Sequence, residues 1–152
     1  MVIRFGTSGW RAIIADEFTF DNARLVTNAI CRYLKTNSDS TSKIAVGHDS
    51  RFMGEIFADL AAETAAAWGF TVLRCSGQTP TPTLSHVIRS EQAAGGINFT
   101  ASHNPPEYQG IKFSTADGAP ALPEITKQIE ALIADGVETE SYDGGSIEEH
   151  DP

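Results

Sequence analysis

The feature that most limits how this chain folds is a regular alternation of short apolar runs with longer stretches of helical periodicity. Residues 22–35 (NARLVTNAICRYLK) put Ala23, Val26, Ile30, Cys31 and Leu34 on one helical face, with Asp21 placed as an N-cap and Lys35 in the last turn. After the polar stretch TNSDSTS, KIAVG reads as a short buried strand that stops at His48-Asp49-Ser50-Arg51. An alanine-rich helix is expected over 53–67, with Gly69 just past its end. FTVLRC alternates as a strand, and Pro82 suits the first turn of a helix over 82–90. GGINF, residues 95–99, is apolar enough for a strand covered on both faces. VIRF at the start and GIKFS after the third loop also read as strands, and 124–134 (EITKQIEALIA) as the final helix.

Such alternation predicts an α/β protein, a three-layer α/β/α sandwich around a mostly parallel, mixed sheet. GIKFS, the last strand of this reading, is the exception. Its connection from GGINF spans only about ten residues without helical periodicity, too short for a parallel crossover, so it should run antiparallel. Residues 1–140 are expected to form one domain, and 141–152 (SYDGGSIEEHDP) a linker towards a second domain that the chain lacks.

A chain of 152 residues with 41% apolar content buries a core without disulfides or metal. Its 11 basic and 20 acidic residues give a net charge of -9, which argues against nucleic acid and anionic membrane surfaces as partners. An anionic small substrate therefore needs a local cluster of Arg, Lys, metal or backbone N–H. Cys31 and Cys75 lie in apolar periodic segments without metal or redox spacing, as buried thiols of a reducing compartment do. No apolar run reaches the length of a membrane span and no secretory signal opens the chain, so the cytoplasm is the expected location.

In open α/β sheets ligands collect beyond the carboxyl ends of the strands. That rule selects three polar loops: Gly6-Thr7-Ser8-Gly9-Trp10-Arg11, His48-Asp49-Ser50-Arg51 and Thr100-Ala101-Ser102-His103-Asn104-Pro105. In the first, Gly6 and Gly9 bracket two hydroxyls, a composition that lets N–H groups converge on an anion. In the third, a hydroxyl and an imidazole stand at a strand end, and Asn104 before Pro105 is kept out of helix. An ordinary turn accounts for the same residues when Ser102 and His103 satisfy backbone groups. A serine-hydrolase triad does not fit: adjacent extended residues point to opposite sides, the Gly-x-Ser-x-Gly elbow is absent and no acid partners the imidazole. In GIKFS, Lys112 and Ser114 share one face, where a lysine is ordinarily just a solvated charge.

TASHNP followed by GIK resembles the active-site serine loop of the α-D-phosphohexomutases, the phosphoglucomutase/phosphomannomutase family. FGTSGWR resembles that family's N-terminal Phe-Gly-Thr-Ser/Asp-Gly-x-Arg motif, with Ala12 where glycine is frequent. VGHDSR resembles its Val-Gly-Arg-Asp-x-Arg, with His48 in place of arginine, so no role passes to His48. Gln109 stands where the family has asparagine.

The resemblance implies a phosphoserine domain, the first of four, in which phospho-Ser102 donates to a hexose phosphate, giving a bisphosphorylated sugar whose other phosphate returns to the serine. Lys112 would assist proton transfer provided its neighbours lower its pKa, His103 would orient the loop or touch phosphate, and Arg11 would point into the site. Thr7, Ser8, Arg51 and Asn104 would bind substrate or phosphate. Mg²⁺ would meet this chain only through the phosphate on Ser102, because the family's Asp-Gly-Asp-x-Asp-Arg loop is not in the sequence. Hexose phosphate, a sugar bisphosphate activator and three further domains are the implied partners; this chain alone should turn over negligibly. A non-catalytic phosphosugar-binding or assembly module and the first domain of a phosphoglucosamine mutase are the alternatives.

Overall fold

The structure, a computed structural model, describes residues 2–37 and 43–152; most of the polar stretch TNSDSTS lies outside the described residues. In chain order the elements are β1 (Trp10–Ile13), α1 (Phe20–Asn37), β2 (Lys43–His48), α2 (Gly54–Ala67), β3 (Thr71–Cys75), α3 (Thr81–Ser90), β4 (Gly95–Phe99), β5 (Tyr108–Thr115), α4 (Pro123–Asp135) and β6 (Ser146–His150). One mixed sheet orders the strands β1-β5-β4-β2-β3-β6. β2 runs parallel to both β3 and β4, with α2 and α3 as the intervening connections. β5 is antiparallel to β4, with Asn98 opposite Lys112, as the short connection predicts.

Three expectations are corrected. VIRF forms no strand, and the first strand instead begins at Trp10, where Trp10 pairs with Ile111 and Arg11 with Gly110. The cause is tertiary: the Phe5 N–H is taken by Glu130 Oε2 of α4 at 2.7 Å, while the sheet offers its free edge to residues 10–13. Asp21 is not the N-cap of α1. Thr19 Oγ1 accepts the Asn22 N–H at 3.2 Å, and Asp21 sits inside the first turn paired with Arg24. Finally, the last strand is not GIKFS but β6, parallel to β3, inside the tail read as a linker. Gly69 does close α2 at φ 93°, giving its N–H to the Ala66 carbonyl at 2.9 Å.

The central strands β2, β3 and β4 are covered on both sides by unequal layers. On one face Ile44, Val46, Val72, Ile97, Phe99, Ile111 and Phe113 pack with α1, α2 and α4 into the main core. Phe18 is its hub, stacked on Trp10 at 4.7 Å and edge-on to Phe57 at 4.9 Å. On the other face Ala45, Leu73 and Cys75 meet Leu84, Val87 and Ile88 of α3. Alanines at 58, 61, 62 and 65 bring α2 close to the sheet. No helix among the described residues is long and apolar enough to cross a membrane.

The segment that follows α4 is fastened by contacts that its own composition does not announce. Asn28 Oδ1 accepts both the buried Trp68 Nε1–H and the Thr139 hydroxyl, each at 2.9 Å. Lys35 Nζ lies 4.8 Å from the ring centroids of Phe70 and of Tyr142. Arg32 forms an ion pair with Glu140.

Candidate functional site

β2 and β4 are neighbours running in the same direction, so their carboxyl ends deliver the second and third polar loops side by side. The Asp49 N–H bonds the Phe99 carbonyl at 3.0 Å, stitching the two loops at their roots. Asp49 then turns its carboxylate onto the Arg51 N–H (2.9 Å) and towards Arg51 Nε (3.8 Å). Thus held, the Arg51 side chain is only 13% exposed and donates to four carbonyl oxygens, those of Ser102 (2.9 Å), Asn104 (2.6 Å) and Pro105 (2.9 Å) in the serine loop and that of Tyr108 (3.2 Å) at the start of β5.

Around that guanidinium the serine loop is shaped by local bonds. The Asn104 N–H closes a turn on the Ala101 carbonyl at 3.0 Å, and the Ser102 N–H is taken by Thr100 Oγ1 at 3.2 Å. Ser102 is exposed at φ 52°, a left-handed conformation that costs a non-glycine residue on the order of 1 kcal/mol and marks functional loops. His103 is exposed beside it.

Arg11 reaches the same loop from β1: its Nη1 donates to Asn104 Oδ1 at 3.1 Å. Because Arg11 lies opposite Gly110, it shares a sheet face with half-buried Lys112, two residues along β5. The structure therefore brings Arg11, Arg51, Ser102 and Asn104 into one bonded cluster and puts Lys112 on its flank. Thr7 and Ser8 stand apart. They occupy the exposed tip of a turn closed by Gly6 and Gly9 before β1, and among the described residues neither hydroxyl bonds the serine loop.

Two glycines permit this assembly. A β-carbon on Gly110 would fall inside the van der Waals shell of the Thr100 carbonyl oxygen, and one on Gly9 (φ 79°) inside that of the Ile111 carbonyl. Gln109, which the sequence shows only as a departure from the family's asparagine, is fully buried. Its Nε2 donates to the Phe52 carbonyl at 3.2 Å and its Oε1 accepts the Gly110 N–H at 3.0 Å, tying β5 to the start of α2. No sequence signal marks it. Asp49, visible in the motif, acquires meaning only through Arg51.

The residues do not by themselves make a Mg²⁺ site. Among the described residues no group of three or more His, Cys, Asp or Glu side chains comes together, and the carboxylate at the loop roots, Asp49, is occupied by Arg51.

Parallel strand ends, a cationic cluster and a strained, solvent-facing serine together define a phosphosugar-mutase type of α/β/α domain. The family model for phosphoglucomutase/phosphomannomutase, alpha/beta/alpha domain I, matches residues 2–140, and the chain belongs to that family. A phosphoglucosamine mutase of Ruegeria sp. (strain TM1040) is 35% identical over 135 residues, covering 88% of this chain and 30% of the relative. A phosphoglucomutase of Staphylococcus saprophyticus is 34% identical over 138 residues, covering 87% and 24%. The crystal structure of a Thermus thermophilus protein, provisionally assigned as a phosphomannomutase, superimposes with a TM-score of 0.89 at 40% identity, over 99% of this chain and 33% of that one. The chain thus spans about a third or less of the length of these relatives.

Proposed function

We propose that this domain carries the transferable phosphoryl group of a hexose-phosphate mutase on Ser102, within a multidomain protein that interconverts hexose 1-phosphate and hexose 6-phosphate of the glucose/mannose type. The observation that carries this reading is the exposed Ser102 at φ 52°, in a loop whose Ser102 carbonyl is bonded by Arg51 and whose Asn104 side chain is bonded by Arg11. In the forward step a sugar hydroxyl oxygen attacks phosphorus, the bond from phosphorus to Ser102 Oγ breaks, and the hydroxyl proton ends on the serine oxygen. We assign the relay of that proton to Lys112, which shares a sheet face with Arg11. The second half reverses these bonds at the other end of the bisphosphorylated sugar, so no phosphate is lost to water. Mg²⁺ and the sugar-reading groups come from outside this chain. The name of the Ruegeria relative supports a second reading, an aminosugar substrate for the same chemistry.

Incubation of the intact protein with hexose 1,6-bisphosphate, followed by intact mass and peptide mapping, tests the assignment. One phosphate increment on Ser102, absent from Ser102→Ala, is expected. Phosphate on another residue, or turnover retained by Ser102→Ala, would remove it. Comparing glucose, mannose and glucosamine 1-phosphates as substrates separates the two readings.

A further inference from the structure

We infer that Arg51 is a positioning residue, whose cationic head fills a cup of carbonyls and turns the Ser102–His103 peptide so that its N–H faces the phosphate side; the inference rests on Ser102 being the phosphoryl carrier. The guanidinium has its donors committed to the carbonyls of Ser102, Asn104, Pro105 and Tyr108, and its Nε faces Asp49. It is no longer a free phosphate ligand. What it does instead follows from peptide geometry. The peptide bonds of the described residues are trans, so each C=O that points at Arg51 directs the N–H of the next residue away from it. For Asn104 and Pro105 the next residues are Pro105 and Pro106, which carry no N–H, so their carbonyls turn to the cation without leaving a donor orphaned.

The Ser102 carbonyl is different, because His103 follows it. With that carbonyl on Arg51 Nη2, the His103 N–H points to the opposite side of the loop, and no group among the described residues accepts it. A positive charge at the carbonyl end polarises the peptide and strengthens the N–H at the other end, one residue from the oxygen that bears phosphate. Arg51 thereby acts on the phosphoryl group through the backbone, and Asp49 keeps it in place.

The test uses the intact protein with Arg51→Lys, Arg51→Ala and Asp49→Asn, their folding checked by circular dichroism and thermal melting. A lysine cannot span four carbonyls, so Arg51→Lys should lower kcat roughly 100-fold with KM unchanged, the loss expected of a misplaced reacting group. Amide exchange at His103, an N–H that bonds no acceptor and is made more acidic by the cation on its carbonyl, should slow in Arg51→Ala, guanidinium ion should restore part of the rate of that variant, and Asp49→Asn should shift both readouts in the same direction by less. A raised KM with kcat intact would make Arg51 a direct phosphate ligand, and unchanged exchange at His103 would likewise overturn the inference. Failure of wild-type protein to carry phosphate on Ser102 would instead strike the function assigned above; the His103 exchange then decides the clamp alone.

Discussion

Arg11 and Asn104, 93 residues apart in sequence, are joined by a 3.1 Å hydrogen bond from Nη1 to Oδ1, and that bond ties the first polar loop's arginine to the serine loop. It is solvent-exposed, so it adds little to folding. Arg11→Ala should therefore change unfolding free energy by less than about 0.5 kcal/mol. Phosphoryl acquisition by Ser102 should fall roughly tenfold or more, since a charged hydrogen bond at a transferring phosphate is worth about 1.5–3 kcal/mol. Denaturant melts and the rate of the mass increment measure the two effects; equal rates in the two proteins would leave Arg11 without a role in transfer.

Ser102 carries a conformational penalty that glycine would not. Replacing it, Ser102→Gly should leave stability equal or raise it by up to about 1 kcal/mol, while abolishing phosphorylation. A marked loss of stability would show that the hydroxyl itself supports the loop.

Gly110 has no room for a methyl group: beyond the Thr100 carbonyl, its β-carbon would stand 3.1 Å from Arg11 Cγ. Gly110→Ala should cost roughly 1–3 kcal/mol, the usual range for overpacking, and displace the serine loop along with β5. Chemical denaturation reports the first effect, and amide shifts of residues 100–104 the second.

Asp117 gives a pH dependence with a defined sign. The Thr115 hydroxyl (2.6 Å) and the Ala119 N–H (3.0 Å) hold its carboxyl below the ordinary carboxylate range. A lowered folded pKa means that the stabilisation is present above the ordinary carboxylate value and is lost as pH falls through the lowered one. Thr115→Ala should move the Asp117 titration upward in a carbon-detected NMR experiment. An unmoved midpoint would show that the Ala119 N–H suffices.

Much of the architecture is legible in residue order because it depends on local periodicity. KIAVG, TVLRC and GGINF become strands and α2 ends before Gly69 through patterns contained in a few neighbouring residues. The short link before GIKFS even fixes its direction. The edges are harder: residues 10–13 and 146–150 lack a strong strand pattern, and they become strands because the edges of an already formed sheet accept them.

The candidate site divides the same way. Residue order alone shows which groups stand at the strand ends: the hydroxyl of Ser102, the two prolines that stiffen its loop, and the arginines at 11 and 51. Their duties are set by packing between distant segments. Arg51 turns inward to hold carbonyls while Arg11 stays at the exposed rim, and Gln109 becomes a buried tie between β5 and α2. A guanidinium looks the same in any sequence; its role depends on which acceptors the fold carries to within about 3 Å of it, and those acceptors here are backbone oxygens more than fifty residues away.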